Sequence, residues 1–269
     1  MRITTFVSLT ISTLLFSTSC GKATDWREKD ESSSQNLSTN TEEERTIQNF
    51  NAVQASTGIN VSFTQSNDYQ VKINAKPEIL PYVKTKLDGT KLKIYIDSHG
   101  KKNLNTGGVS VEVHAPHLVL VQVDSGADFQ LKNTLTEENF KLSADSGADF
   151  NGSLNITNLT QINVDSGADA DINLVTKNAD INVDSGANIN LKGSADNATI
   201  NADSAGSCKA EEFKVNHLKA NADSSGTVTV YAMQSVEATA DSSGSVRYKG
   251  NPTQVKVKAD TSGSVKKMD

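Results

Sequence analysis

The sequence predicts an all-β fold: a parallel β-helix (β-solenoid) with about 19 to 20 residues per coil, preceded by a short β-rich section containing a hairpin. Three observations carry this. An Asp-Ser or Asp-Thr pair followed by small residues including glycine recurs at Asp124, Asp145, Asp165, Asp184, Asp203, Asp223, Asp241 and Asp260. The intervals are 21, 20, 19, 19, 20, 18 and 19 residues, the length of one solenoid coil. Hydrophobic residues make up only 36% and aromatics 5% of the chain, too little for a thick globular core but enough for the thin one a solenoid needs.

Taken in order, the elements begin with an export signal. Arg2 precedes a mainly apolar stretch, Ile3 to Phe16, and then Ser17-Thr18-Ser19-Cys20-Gly21. The stretch is short for a membrane span and has the charged, apolar and small-residue regions of a secretory signal, residues 1–19. Cys20 stands where the lipid-modified cysteine of bacterial lipoproteins stands, although Ser17 replaces the usual leucine. Lipidation of Cys20 is the expectation; ordinary cleavage leaving a free thiol is the alternative. Residues 20–46 are polar and without periodicity, as a tether is.

Regular alternation starts near Ile47 and defines a domain over 47–269. Val53, Ile59, Val61, Phe63, Val71 and Ile73 read as strands, and Pro77 and Pro81 interrupt them. KTKLDGTKLKIYID reads as a hairpin turning at Asp88-Gly89. Ser98 to Gly108 is a loop, and Val109, Val111 and Val113 lead into the repeats.

Within the repeats, the residue five after each aspartate is Phe129, Phe150, Ala170, Ile189, Cys208, Val228, Val246 or Val265. The residues one and three before it are valine, alanine, leucine or isoleucine, separated by polar ones such as Asn163, Asn182, Asn201 and Asn221. A period of two gives each coil an inside and an outside. One coil cannot bury its inner side alone, so stability comes from stacking. Cys208 lies in an inward column and is expected to act as a small hydrophobe.

The net charge of −6 and the four arginines (Arg2, Arg27, Arg45, Arg247) exclude a nucleic-acid partner, which needs clustered cations. Stacked aspartates about 4.8 Å apart repel by roughly 1 kcal/mol in water, so something must offset them. Asx-turns at each corner are one answer. Cations held between rungs are another, favoured where Asp128, Asp149 and Asp169 add a second acidic column, and recognition of a ligand by the polar face is a third. His114 and His117 flank Ala115-Pro116, but alternation turns His114 outward with Glu112 and two imidazoles do not make a metal site. Neither His99 nor His217 has an evident partner. No catalytic residue, metal ligand or cofactor motif stands out.

The Thr57-Gly58-Ile59-Asn60-Val61 opening, the VEVHAPHL segment with Pro116 and Leu118, the serial Ser-Gly corners and the closing Val246-Arg247-Tyr248-Lys249-Gly250-Asn251-Pro252 resemble the family "putative autotransporter adhesin, head GIN domain". The similarity runs from about Ile47 to the C-terminus. It implies a β-helical domain of envelope lipoproteins with an adhesive or structural role and no established catalytic residues. Right-handedness is an expectation from the family and from strand twist. In the first four corners glycine directly follows the serine, whereas in the last four it comes one place later, as in Ser224-Ser225-Gly226. The positive-φ position is therefore expected to shift along the stack.

The sequence thus points to a non-enzymatic, lipid-anchored module of the bacterial cell envelope, at the outer membrane, binding a glycan or a surface protein. The ligand and its binding residues are not legible. A lyase-like carbohydrate-active β-helix and a purely structural envelope protein are the alternatives. An acidic cluster beside a basic residue in a groove would favour the enzyme, and a smooth Asn, Ser and Thr face the binding module.

Overall fold

In a computed structural model, which describes residues 40–101 and 105–269, eighteen strands wind into a solenoid closed at one end by antiparallel strands. The first section holds β1 (Thr41–Glu44), β2 (Ala52–Ala55), β3 (Asn60–Gln65), β4 (Gln70–Ala75), β5 (Val83–Asp88), β6 (Lys91–Ile96) and β7 (Ser110–Ala115). Next come β8 (Leu120–Val123), β9 (Asp128–Leu131) and β10 (Leu135–Ala144). Most of the stack is β11 (Asp149–Val164), β12 (Asp169–Val183), β13 (Asn188–Ala202), β14 (Ser207–Ala222) and β15 (Thr227–Ala240). It ends with β16 (Ser245–Lys249), β17 (Gln254–Ala259) and β18 (Ser264–Lys267).

Each coil pairs in parallel with the next: Ile162 lies on Ile181, Ile181 on Ile200 and Ile200 on Ala220. The inward columns read from the sequence are buried in every repeat rung but the last. There Val255 and Val257 are each 50% exposed, with no further coil among the described residues to cover them. Near the N-terminal end Phe63, Phe129 and Phe150 stack at centroid spacings of 6.5 and 5.9 Å inside the core.

The uneven coil length is absorbed away from the aspartate corner. Ile156 pairs with Thr176 but Leu159 with Asn178, so β11 carries one residue more than β12 at that point. A similar slip between Asn190 and Lys192 accommodates an extra residue in β14. The corner and the apolar columns thereby stay in register while the bends vary.

At the N-terminal end the chain turns back on itself. β2 and β3 lie parallel on β8 and β9, with β6 and β7 outside them. β5 then adds antiparallel to β6, β4 antiparallel to β7, and β1 antiparallel to β4. The expected hairpin is β5–β6, closed by Asp88 and Lys91, with Gly89 at φ +61° in the turn. β1 lies in the stretch read as tether. Its TEEE sequence has no alternation to reveal it, and antiparallel pairing with β4, aided by the Lys72–Glu42 ion pair at 2.7 Å, makes it a strand.

Corner geometry corrects one expectation. Positive φ does not move along the stack: in all eight corners it falls on the two residues after the aspartate, from Ser125 (54°) and Gly126 (69°) to Thr261 (40°) and Ser262 (66°). Both central residues at positive φ, with a bond from the fourth amide to the aspartate carbonyl, make a type I′ turn. What moves is the glycine. The first four turns place glycine third and a buried alanine fourth, with that bond at 3.0–3.2 Å. The last four place alanine or serine at φ 64–67° and glycine fourth. The bond shortens to 2.6 Å, and a Cβ on Gly206 would sit 2.3 Å from the Val183 carbonyl oxygen. Ser56-Thr57-Gly58 is one more such corner without its aspartate, with Thr57 and Gly58 both at φ 67° and the Gly58 amide bonded to the Ser125 carbonyl.

Two predictions follow from this packing. Val164, 1% exposed, sits in the inward column, whereas the neighbouring Asn163 faces out and accepts a hydrogen bond from Asn182 that an aspartate can still accept. Val164→Asp should destabilise by several kcal/mol and Asn163→Asp by about 1 kcal/mol or less; equal melting shifts would refute this register. At the corner, Ala205→Gly should stabilise by about 1 kcal/mol by relieving the left-handed backbone. Gly206→Ala should lower the melting temperature markedly, and calorimetry of the two variants distinguishes them.

Candidate functional site

The aspartate corners come first. Asp165, Asp184, Asp203, Asp223, Asp241 and Asp260 each accept, through Oδ1, the main-chain N–H of the very next residue at 2.6–3.0 Å. An Asx-turn would engage the amide two residues on. Here that amide is already used: Gly167 donates to the Ser185 carbonyl of the next coil, and Gly186 to Ser204. The carboxylate is thus occupied locally, and serine hydroxyls add bonds of 3.1–3.4 Å at several rungs, Asp145 included. The corner is a structural device repeated along one edge of the stack.

A second column carries uncharged polar groups. Asn182 Nδ2 donates to Asn163 Oδ1 at 2.9 Å, Asn201 to Asn182 at 2.8 Å and Asn221 to Asn201 at 2.8 Å. The same device recurs at another bend, where Asn158 donates to Asn139 at 2.9 Å and Asn197 to Asn178 at 3.0 Å. An amide carries a donor and an acceptor on one planar group, so stacked copies bond in a chain without repulsion.

The doubly acidic rungs stack Asp128 on Asp149 on Asp169. Farther along, Asn188 donates to Asp169 at 2.9 Å and Asn190 to Asp171 at 2.6 Å, which limits the run of charge. Asp149 is in the middle, and its carboxyl is pushed above the usual range by burial first, then by the charges of Asp128, Asp169 and Asp171. Among the described residues no three His, Cys, Asp or Glu side chains are placed to hold a metal ion.

An open groove of about 910 Å³ crosses the rungs of β12 to β17 at the second bend. One rim is the column Asn178, Asn197, His217, Ser235 and Gln254; the other is Asp180, Thr199, Lys219, Glu237 and Lys256. Ala198, Leu218 and Val236 form an apolar floor between them. His217 Nδ1 lies 3.0 Å from Ser235 Oγ, and the Lys256 ammonium, 2.7 Å from Glu237, holds that carboxyl below its usual range. Sequence reading missed this groove because its rims come from five coils; the recurring polar residues directly on either side of an inward one were the available signal.

A smaller groove brings Asp171, Lys192, Lys209, Glu211, Glu212 and Lys249 together, the mixture that would favour an enzyme. Two of its lysines are held by carboxylates, Lys192 by Glu212 at 3.1 Å and Lys249 by Glu211 at 2.5 Å. Both ammonium groups are thus engaged by the groove's own carboxylates.

The remaining candidates separate. His114 faces outward on β7 opposite Thr64 and Gln70, while His117 pairs with Glu137 at 3.2 Å, so the two do not share a site. The same glutamate accepts the Leu118 N–H at 3.0 Å and fastens the turn after Pro116. His99 lies 3.4 Å from Asp97. Cys208 is fully buried between Ile189 and Val228, and burial pushes its thiol up to about 12, where no reactive thiolate forms at neutral pH. Cys20 lies outside the described residues. No helix among them is long and apolar enough to cross a membrane.

The Asp149 environment gives a pH test. Because its folded-state pKa is raised, the folded chain holds the proton more tightly than the unfolded chain, and that advantage is lost as pH rises from below 3.8 through the raised value. Asp149→Asn should therefore raise the melting temperature at pH 7 relative to the parent, and the gain should shrink to near zero below pH 3.8. Melting curves between pH 3 and 7 check this.

Several solved structures share the fold. A putative adhesin from Parabacteroides distasonis ATCC 8503 superposes with a TM-score of 0.81 at 21% identity, covering 86% of this chain and 98% of its own. One from Parabacteroides merdae ATCC 43184 gives 0.79 at 22% identity, covering 87% and 98%. A protein from P. distasonis named a putative lipid binding protein gives 0.78 at 20% identity, again covering 87% and 98%. No curated protein matches the chain. The family model described as "Putative auto-transporter adhesin, head GIN domain" matches residues 49–252, the whole solenoid up to its last coil, and the chain belongs to that family.

Proposed function

We propose that this chain is a non-enzymatic adhesive module of the bacterial cell envelope, anchored at the outer membrane by lipid on Cys20 and binding an extended glycan along the groove of β12 to β17. The observation that carries the reading is the groove's chemistry: amide, imidazole and hydroxyl groups on one rim, alternating charges on the other, and an apolar floor. A sugar chain has hydroxyl edges and apolar ring faces, and a groove repeating its polar groups every coil offers successive residues of a polymer equivalent contacts. The adhesin names of the P. merdae and P. distasonis proteins agree with it. A surface protein presenting an extended backbone is the competing occupant. The lipid-binding name borne by another neighbour finds less support, since an acyl chain leaves the polar rims unpaired.

The test uses the full chain on a glycan array and in an envelope pull-down. Glycan retention should fall at least about tenfold, the equivalent of 1.4 kcal/mol, when Asn197→Ala and His217→Ala are combined, with the fold retained. Cys20→Ser should release the chain from membranes without changing glycan retention. Absence of glycan binding by the parent chain would refute the glycan reading, and capture of one surface protein through the same groove residues would replace it. An unmodified Cys20 in membrane-bound chain would refute the anchor.

A further inference from the structure

We infer that the two ends of the solenoid are complementary and that copies of this chain associate head to tail, the β1–β5 end of one on the β17–β18 end of the next. The proposal does not rest on the groove or the lipid anchor. Its first support is topological. β1 occupies the same column of the stack as β18: register runs from Glu43 through Ile73, Val111, Val61 and Phe129, and down the apolar column to Val265. Two antiparallel steps, β1 on β4 and β4 on β7, restore the direction of the solenoid strands. β1 and β18 therefore run parallel, and each is four residues long. Among the described residues β1 pairs only with β4 and β18 only with β16, so each leaves one edge open.

Charge supplies the second support. β1 reads Thr-Glu-Glu-Glu and β18 reads Ser-Val-Lys-Lys, and the shared column places Glu44 over Lys266. Glu43, which faces the core column, already has Arg45 at 2.8 Å to balance it. The third support is apolar exposure at both ends of a second column. Leu87 on β5 is 41% exposed and Val257 on β17 is 50% exposed, and register connects them through Leu92, Val53, Val121 and Leu142. In the adjoining column Asp88 stands where Lys256 stands at the other end.

A two-fold contact between C-terminal ends would also cover Val257, but it would bring Lys256, Lys258, Lys266 and Lys267 against their own copies, and like charges facing across strands are destabilising. The head-to-tail contact joins unlike patches, so it does not close and builds open chains of copies.

Cysteine cross-linking of the full chain under mild oxidation decides the matter, with the parent as control for Cys20 and Cys208. Glu44→Cys and Lys266→Cys chains, each made alone and then mixed, should give a disulfide-linked dimer, and a chain carrying both substitutions should give a ladder of multimers. Lys266→Glu with an otherwise unchanged partner should weaken association at least about tenfold by sedimentation, and adding Glu44→Lys to the same chain should restore it. All these positions lie on exposed end strands, and unchanged melting temperatures confirm folded variants. Cross-linking by Lys266→Cys alone at the level of the mixture would establish the two-fold contact instead. A mixture that links no better than the parent, with the parent sedimenting as a monomer at every concentration, would overturn the proposal.

Discussion

Every coil of this chain leaves its main-chain N–H and C=O groups pointing along the solenoid axis, and only a neighbour with the same path can satisfy them. That demand for an identical path governs the rest. It explains why corners keep the same two positive-φ residues in all eight repeats while the residue types filling them change. It also explains where irregularity goes. A coil of different length must lose its extra residue in a bulge before the next inward column, because a one-residue slip past that column would turn the whole apolar face to water. Glycine in the later corners sits where a Cβ would strike the carbonyl of the coil beneath. It serves close approach of coils rather than a left-handed backbone.

The same repetition determines which side chains can be tolerated outside. Like charges stacked coil on coil repel, so a charged column needs relief, either from amides, as Asn188 and Asn190 relieve Asp169 and Asp171, or from local main-chain donors, as at the aspartate corners. Amide columns need no relief, because each asparagine both donates and accepts. The outer face consequently carries many asparagines, serines and threonines, and the groove across it offers polar groups at regular intervals, with opposite charges alternating along one rim. Among the described residues the perturbed groups are Asp149 among its own kind, the thiol of Cys208 inside the core, and surface carboxylates and Lys72 in ion pairs.

Legibility in the sequence followed the physics of repetition. Val121, Leu142, Ile162, Ile181 and Ile200 recur because each packs on the next, and a column that must be apolar at every rung writes itself into the chain repeatedly. The β5–β6 hairpin was legible because its turn needs glycine at positive φ. Contacts made once left no such mark. β1 has only glutamates and a threonine, and nothing local shows that it pairs with β4, roughly thirty residues away. Ser56-Thr57-Gly58 is a corner without the aspartate and so escapes an alignment made on aspartates. Asparagine columns were visible as polar alternation, but their bonds depend on a register that only stacking supplies.

The two ends of the stack face the problem of open strand edges in different ways, and the difference follows from where the chain has residues to spare. Between β3 and β8 the chain runs for about fifty residues, enough to lay β6 and β7 parallel on β2 and β3 and to add β4 and β5 as antiparallel cover outside them. After β18 no such excursion appears among the described residues, and the last inward column stays exposed at Val255 and Val257. Lysines on β17 and β18 guard that edge in the usual manner of edge strands, yet a guard of one sign repels only its own kind. An edge that rejects a copy of itself but meets an acidic strand of equal length and direction in the same column is selective rather than inert. The charge that prevents one assembly thus specifies another.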